Sequence, residues 1–232
     1  MSENQEMTLL EHLDELRSRL VKSLIAIVVT TAFSFLFAER FLKLLLVPAG
    51  NVQTVFLTPT EGFLTYMRAA LLSGLGLAMP VIAYQALRFV GPGLKANERK
   101  YLYLALPMAA LSFVVGVAFA YFVMLPAALG YLGQFGSEIA ETNWAVGEYI
   151  AFVTNLVFWI GIVFETPLLV FVLSKLGLVK PALLSKNRRY AVLIIAIVAA
   201  VITPTADPFN MLLLMGPLII LYEISIWVAK LA

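Results

Sequence analysis

The sequence predicts an all-α membrane protein, with six transmembrane helices in a bent bundle and the last two helices short. Three observations carry that prediction. Of the 232 residues, 62% are hydrophobic and only 13% are charged, where soluble domains run to roughly 45–50% apolar and about 25% charged. The apolar residues collect in six runs, at about 21–38, 68–90, 101–125, 149–174, 190–203 and 208–229. Prolines 80, 107, 126, 167 and 217 stand within or at the ends of those runs. Each removes an amide donor and tends to kink its helix, and neighbouring helices satisfy the freed carbonyls.

The chain is expected to begin with a polar, amphipathic helix over 1–20. In TLLEHLDELRSRL, Thr8 and Glu11 have capping-box spacing. Leu9, Leu13, Leu16 and Leu20 fall on one helical face. Glu11, Asp14 and Glu15 lie off that stripe, and Glu15 is placed to pair with Arg19 at i+4. Two readings fit: an interfacial helix leading into the first span, or an acidic cluster that receives a cationic ligand. No short apolar core with a small-residue cleavage site follows, so no cleavable leader is expected.

The first four runs are long enough to cross a hydrocarbon layer of about 30 Å. The fifth, YAVLIIAIVAAVIT, spans only roughly 21 Å as a helix. The sixth is interrupted at Glu223, and TPTADPFN between the two is a Pro-rich turn that pairs them as a hairpin. So short a hairpin calls for a locally thinned bilayer. The chain is read as one polytopic domain, 1–232.

Basic residues orient the spans. Thirteen of the sixteen Lys and Arg fall in the N-terminal stretch, the 88–100 and 175–189 loops and the C-terminus, leaving Arg40, Lys43 and Arg68 on the other side. By the positive-inside rule both termini are cytoplasmic. The 39–67 and 126–148 loops then face outward. In the cytoplasmic loop FVGPGLKANERK, Asn97 is placed to cap the next helix and Glu98 to sit in its first turn. Glu98 then either compensates the helix dipole or joins the N-terminal carboxylates in one acidic recognition site.

Glu165 is the only charge between Tyr149 and Ser174. A charge in a spanning helix costs at least about 2.5 kcal/mol and marks a functional site by default. It is read either as a structural, hydrogen-bonded carboxyl, with Thr154, Asn155 and Thr166 as neighbours, or as a polar foothold towards a thinned membrane. Asp207 and Glu223 are the other acidic residues at or inside the last two runs.

Several chemistries lose support. With no cysteine there is no disulfide or thiolate. His12 is the sole histidine, so no metal site is expected. No HExxH, GxSxG or phosphate-binding glycine loop occurs. The chain is therefore not expected to be an enzyme or to carry a cofactor.

HLDELRSRL at 12–20, FVGPGLKANERK, AFAYFVMLP at 118–126, FETP at 164–167 and TPTAD at 203–207 together resemble the TatC family. That family provides the core receptor subunit of the twin-arginine protein translocase. The resemblance covers nearly the whole chain in the family's order, although TPTADP is one residue longer than the usual TPPDP-like pattern. It implies a receptor that binds Arg-Arg signal peptides and, with TatA- and TatB-type single-span subunits, exports folded proteins by proton-motive force. It places the chain in a bacterial-type cytoplasmic (inner) membrane, in a complex holding more than one copy. The signal-peptide site it implies comprises Glu15 and Glu98, with Leu16, Arg17 and Phe89 beside them. Glu165 and Asp207 become intramembrane polar positions for partner helices, and Pro48 a structural residue of the first outward loop. The competing reading is an ion-coupled solute transporter with Glu165 as proton relay. Such carriers are usually built from two related repeats, and the short final hairpin has no counterpart in the first half.

Overall fold

A computed structural model describes residues 9–50, 53–90, 99–134, 143–175, 177–203, 205 and 207–231. Thr8, Asn97 and Glu98 lie outside them. The chain is almost wholly helical. The first helix, α1, runs Leu9–Phe35, and after a turn α2 covers Ala38–Leu46. A 3-10 turn at Val47–Ala49 contains Pro48 at its start, and strand β1 follows at Gln53–Val55. Helix α3 spans Glu61–Val90 and α4 spans Arg99–Phe119. The latter continues through a π-helical segment, Ala120–Met124, into α5 (Leu125–Leu132). Strand β2 (Asn143–Ala145) leads to α6 (Val146–Phe164) and α7 (Thr166–Lys175). Helix α8 (Pro181–Lys186) precedes the closing pair, α9 (Arg188–Ile202) and α10 (Pro208–Leu231).

Five stretches of the described residues are long and apolar enough to cross a membrane: Glu11–Phe35, Glu61–Phe89, Ala105–Leu132, Val146–Lys175 and Pro208–Lys230. The chain is thus an all-helical, multi-pass membrane protein. Helix α9 forms where the fifth run was expected, but its 15 residues give only about 22 Å of helix.

The prolines act less uniformly than expected. Pro80, Pro107 and Pro217 lie inside helices that run on through them. The chain leaves α geometry just before Pro126, at the π segment, and before Pro167, where α6 ends and α7 begins. In a membrane, α geometry survives a proline when a neighbour takes over the lost bond.

The core lies along α6 where it meets α4, α3, the π segment and α10, with Met124, Leu125, Ile150, Leu156, Ile160 and Leu214 fully buried. Helix α1 packs chiefly on α3 and stays otherwise uncovered; Leu24, Val28 and Val29 are each about 60% exposed. The contact depends on Gly74. Thr30 donates its hydroxyl to the Gly74 carbonyl at 2.7 Å, and a Cβ at 74 would stand 2.5 Å from the Thr31 Cα. Without a hydrophobic drive inside lipid, such small-residue approaches hold spanning helices together. Gly74→Val is expected to pry α1 from α3 and lower stability in detergent by about 1–3 kcal/mol, the usual cost of overpacking. A thermal-unfolding scan against wild type measures it.

The end opposite the N-terminus carries structure the sequence did not announce. β1 and β2 pair in parallel, Thr54 opposite Trp144. Tyr121 and Tyr149 donate their hydroxyls to the Leu44 and Leu45 carbonyls, at 2.7 and 2.9 Å. Glu61, in the first turn of α3, accepts from the Leu57 N–H (2.6 Å), the Thr58 N–H (3.2 Å) and the Gly147 N–H (2.5 Å). Arg68, two turns along, donates to the Gly147 carbonyl at 2.9 Å. A Cβ at Gly147 would stand 2.6 Å from the Glu61 Cγ, so only glycine fits there. Glu61→Ala frees three amides at once. It is expected to lower the melting temperature well beyond Glu39→Ala, which loses only an exposed i+4 pair with Lys43.

Candidate functional site

Three polar groupings stand out in this apolar molecule, and each is set by the helix that carries it. The first lies where the start of α1 meets the end of α3. Here the expected Glu15–Arg19 pair forms, one helical turn apart, at 3.0 Å. Arg19 also donates to the Gln85 side-chain oxygen on α3 at 3.2 Å, which ties the two helices together. Both ionic side chains are mostly buried, at 15% and 20% exposure. The second carboxylate oxygen of Glu15, Oε2, is buried without a hydrogen-bond partner, as is Nε of Arg19. One turn before Glu15, the His12 ring stacks on Phe89 with centroids 4.4 Å apart. Leu16 is half-buried and Arg17 exposed. Leu13 and Leu20 of the expected leucine stripe are each 60% exposed, so the stripe is not a packing face within this chain.

Glu15, Leu16 and Phe89 therefore gather at one end of the bundle, with Arg17 on the same helix turn. Glu98, expected to complete the group, lies outside the described residues. Described α3 ends at Val90 and described α4 begins at Arg99. Sequence reasoning missed Gln85 and the stacking of His12. A polar residue five positions before the end of the 68–90 apolar run was the available sign of Gln85.

The second grouping is the break between α6 and α7. Pro167 cannot donate to the Val163 carbonyl, and the Thr166 hydroxyl does so instead at 2.5 Å. The next carbonyl, Phe164, accepts from the Ser112 hydroxyl of α4 at 2.5 Å. Backbone polarity at the break is thereby repaired. The Glu165 side chain is not: both carboxylate oxygens are buried without a partner. Thr154, a neighbour expected from the sequence, bonds instead to the Ile150 carbonyl of its own helix. Glu165 lies about 15 Å along the helix from Lys175, within the half of the span nearer that end. Ser112 and Pro167 also border an apolar cavity of about 320 Å³ between α4, α7 and α10.

The third grouping bounds the α9–α10 hairpin. At its turn, Asp207 caps α10, accepting from the Asn210 N–H at 2.8 Å and the Asn210 amide at 2.7 Å. Burial acts to raise the Asp207 pKa, but hydrogen bonds from Asn210 and Thr205 prevail and hold it below the ordinary aspartate value. Both Asp207 and Asn210 are buried. At the other end Arg188 of α9 grips Glu223 of α10 through two bonds, at 2.7 and 2.9 Å. The ion pair and the cap thus frame an apolar stretch of about 22 Å on each helix.

Among the described residues no cluster of His, Cys, Asp and Glu is suited to a metal.

Residues 11–217 match the family model described as Sec-independent protein translocase protein (TatC). The Sec-independent protein translocase protein TatC of Carboxydothermus hydrogenoformans is 41% identical, over 98% of this chain and 95% of that protein. A chloroplastic protein of the same description from Oryza sativa subsp. japonica is 34% identical, over 100% of this chain and 65% of its own length. A crystal structure described as the twin arginine translocase receptor TatC in DDM is 38% identical and superposes with a TM-score of 0.83, covering 95% of this chain and all of the other.

Proposed function

The chain belongs to the TatC family, and on that premise, as a receptor subunit of the Sec-independent (twin-arginine) translocase and not an enzyme, we propose that it takes the Arg-Arg motif of signal peptides where α1 meets α3. Glu15 and Glu98 supply the carboxylates, and Leu16, Arg17 and Phe89 shape the surrounding patch. The observation that carries this reading is the unfilled Oε2 of Glu15. A buried acceptor without a donor is costly, and guanidinium, with its planar fork of donors, is the side chain best matched to carboxylate. Arg19 occupies one oxygen and holds the carboxylate in place. An incoming arginine takes the other, against the apolar platform of the His12–Phe89 stack.

The transport assembly follows from the remaining groups. Six helices cross, α9 as the short fifth, with both termini and the basic loops cytoplasmic in a bacterial-type inner membrane. The hairpin framed by Asp207 and the Arg188–Glu223 pair thins the bilayer locally. TatA- and TatB-type single-span subunits dock on the membrane helices, and several copies of this chain share one complex. Ile194, Ile197 and Val201 leave one face of α9 uncovered for such a helix. Glu165, with two unpartnered oxygens, is the polar foothold where a partner side chain or water enters. Folded proteins then cross under the proton-motive force.

A photocrosslinking group placed at position 12 or 89 tests the recognition site. An Arg-Arg signal peptide is expected to crosslink at both positions, and a Lys-Lys peptide weakly. Equal labelling by both peptides would contradict the assignment.

A further inference from the structure

We propose that the groove between α3 and α6 is a binding site for one anionic phospholipid of the leaflet at the β1–β2 end, its phosphate held by Arg68. Arg68, Leu71, Leu72 and Leu75 line the groove from α3, and Ala151, Thr154, Asn155 and Phe158 line it from α6, enclosing about 350 Å³. Both sets repeat at i, i+3, i+4 and i+7, which places each on a single helical face. The two faces therefore form a channel running along the membrane normal for about 10 Å.

The chemistry is graded along that channel. At its outer end stands Arg68, exposed and about 10 Å into the span that begins at Glu61. An arginine at that depth is costly unless it reaches the interface or a partner. Its one hydrogen bond among the described residues is the bond to the Gly147 carbonyl in the first turn of α6. That bond aims the guanidinium back towards the membrane surface and leaves donors unused. Glu61, the nearest carboxylate along α3, is already committed to three backbone amides. Among the described residues the guanidinium thus has no anion of its own.

Below it the walls are leucine and phenylalanine, suited to an acyl chain. Asn155, exposed and about two turns deeper than Gly147, offers an amide within the groove. A cation above, an amide within and apolar walls between match the phosphate, polar backbone and acyl chain of a phospholipid. A phospholipid with net negative charge is favoured over a zwitterionic one, whose own cation repels Arg68.

Native mass spectrometry of the full chain in detergent, titrated with phosphatidylglycerol or with phosphatidylcholine of identical chains, tests this. One phosphatidylglycerol is expected to bind at least about fivefold more tightly than phosphatidylcholine, and Arg68→Gln to weaken it about tenfold, the scale of one charge-assisted contact. Asn155→Leu, which leaves the Arg68–Gly147 bond intact, is expected to weaken it about threefold and serves if Arg68→Gln folds poorly. Equal affinity for the two lipids overturns the proposal, as does unchanged binding in Asn155→Leu together with a well-folded Arg68→Gln. Full competition by inorganic phosphate alone, or crosslinking from position 155 to a single-span partner helix with no effect of lipid, overturns it too.

Discussion

Glu15→Ala is expected to bind an Arg-Arg signal peptide about 10- to 100-fold more weakly than wild type, the equivalent of ~1.5–3 kcal/mol for a hydrogen bond to a charged group. The carboxylate is largely buried, at 15% exposure, and one of its oxygens has no internal donor, so little of the interaction is lost to water. Glu98→Ala is expected to show a loss of the same order, and the double variant to bind no better than a peptide lacking both arginines. Glu15→Gln keeps shape but not charge, and is expected to recover only a minor part of the affinity. Fluorescence anisotropy of a labelled peptide reads all four proteins. The folded chain should survive the change, because Arg19 retains its bond to Gln85.

Glu165→Ala is expected to leave peptide affinity unchanged and to abolish transport of a folded substrate into energised vesicles. Recognition and transport separate because Glu165 sits at the α6–α7 break within the span, whereas Glu15 sits where α1 meets α3. Stability distinguishes a foothold from a structural carboxyl. With both oxygens buried and unpartnered, the side chain contributes no internal hydrogen bond. Glu165→Leu, close in volume, should therefore melt in detergent at or above the wild-type temperature while remaining inactive. A marked drop in melting temperature would instead identify a structural group.

What was legible in the sequence was mostly what is local. The Glu15–Arg19 pair is an i+4 relation, and it formed as read. The shortness of α9 and the interruption beside Pro167 follow from runs of adjacent residues. The clamp at the opposite end was not legible for the converse reason. Glu61 and Gly147 are 86 positions apart, and no periodicity links them. Strands of three residues are too short to show alternation, and the order of β1 beside β2 depends on where α3 and α6 pack. Prolines misled in part. Their cost in water is a property of the residue, but within a bundle it depends on whether another group supplies the missing donor, as the Thr166 hydroxyl does for the Val163 carbonyl. Pro80, Pro107 and Pro217 sit in unbroken helices.

The central claim is that the Glu15 carboxylate meets an arginine of the peptide directly. A double-mutant cycle measures that contact alone: wild type and Glu15→Gln, each against the Arg-Arg peptide and a peptide with one arginine replaced by glutamine. A coupling energy of at least about 1.5 kcal/mol for one of the two arginines is predicted, the scale of a charge-assisted bond. Coupling within about 0.3 kcal/mol of zero for both arginines, the scatter expected of independent sites, would contradict it.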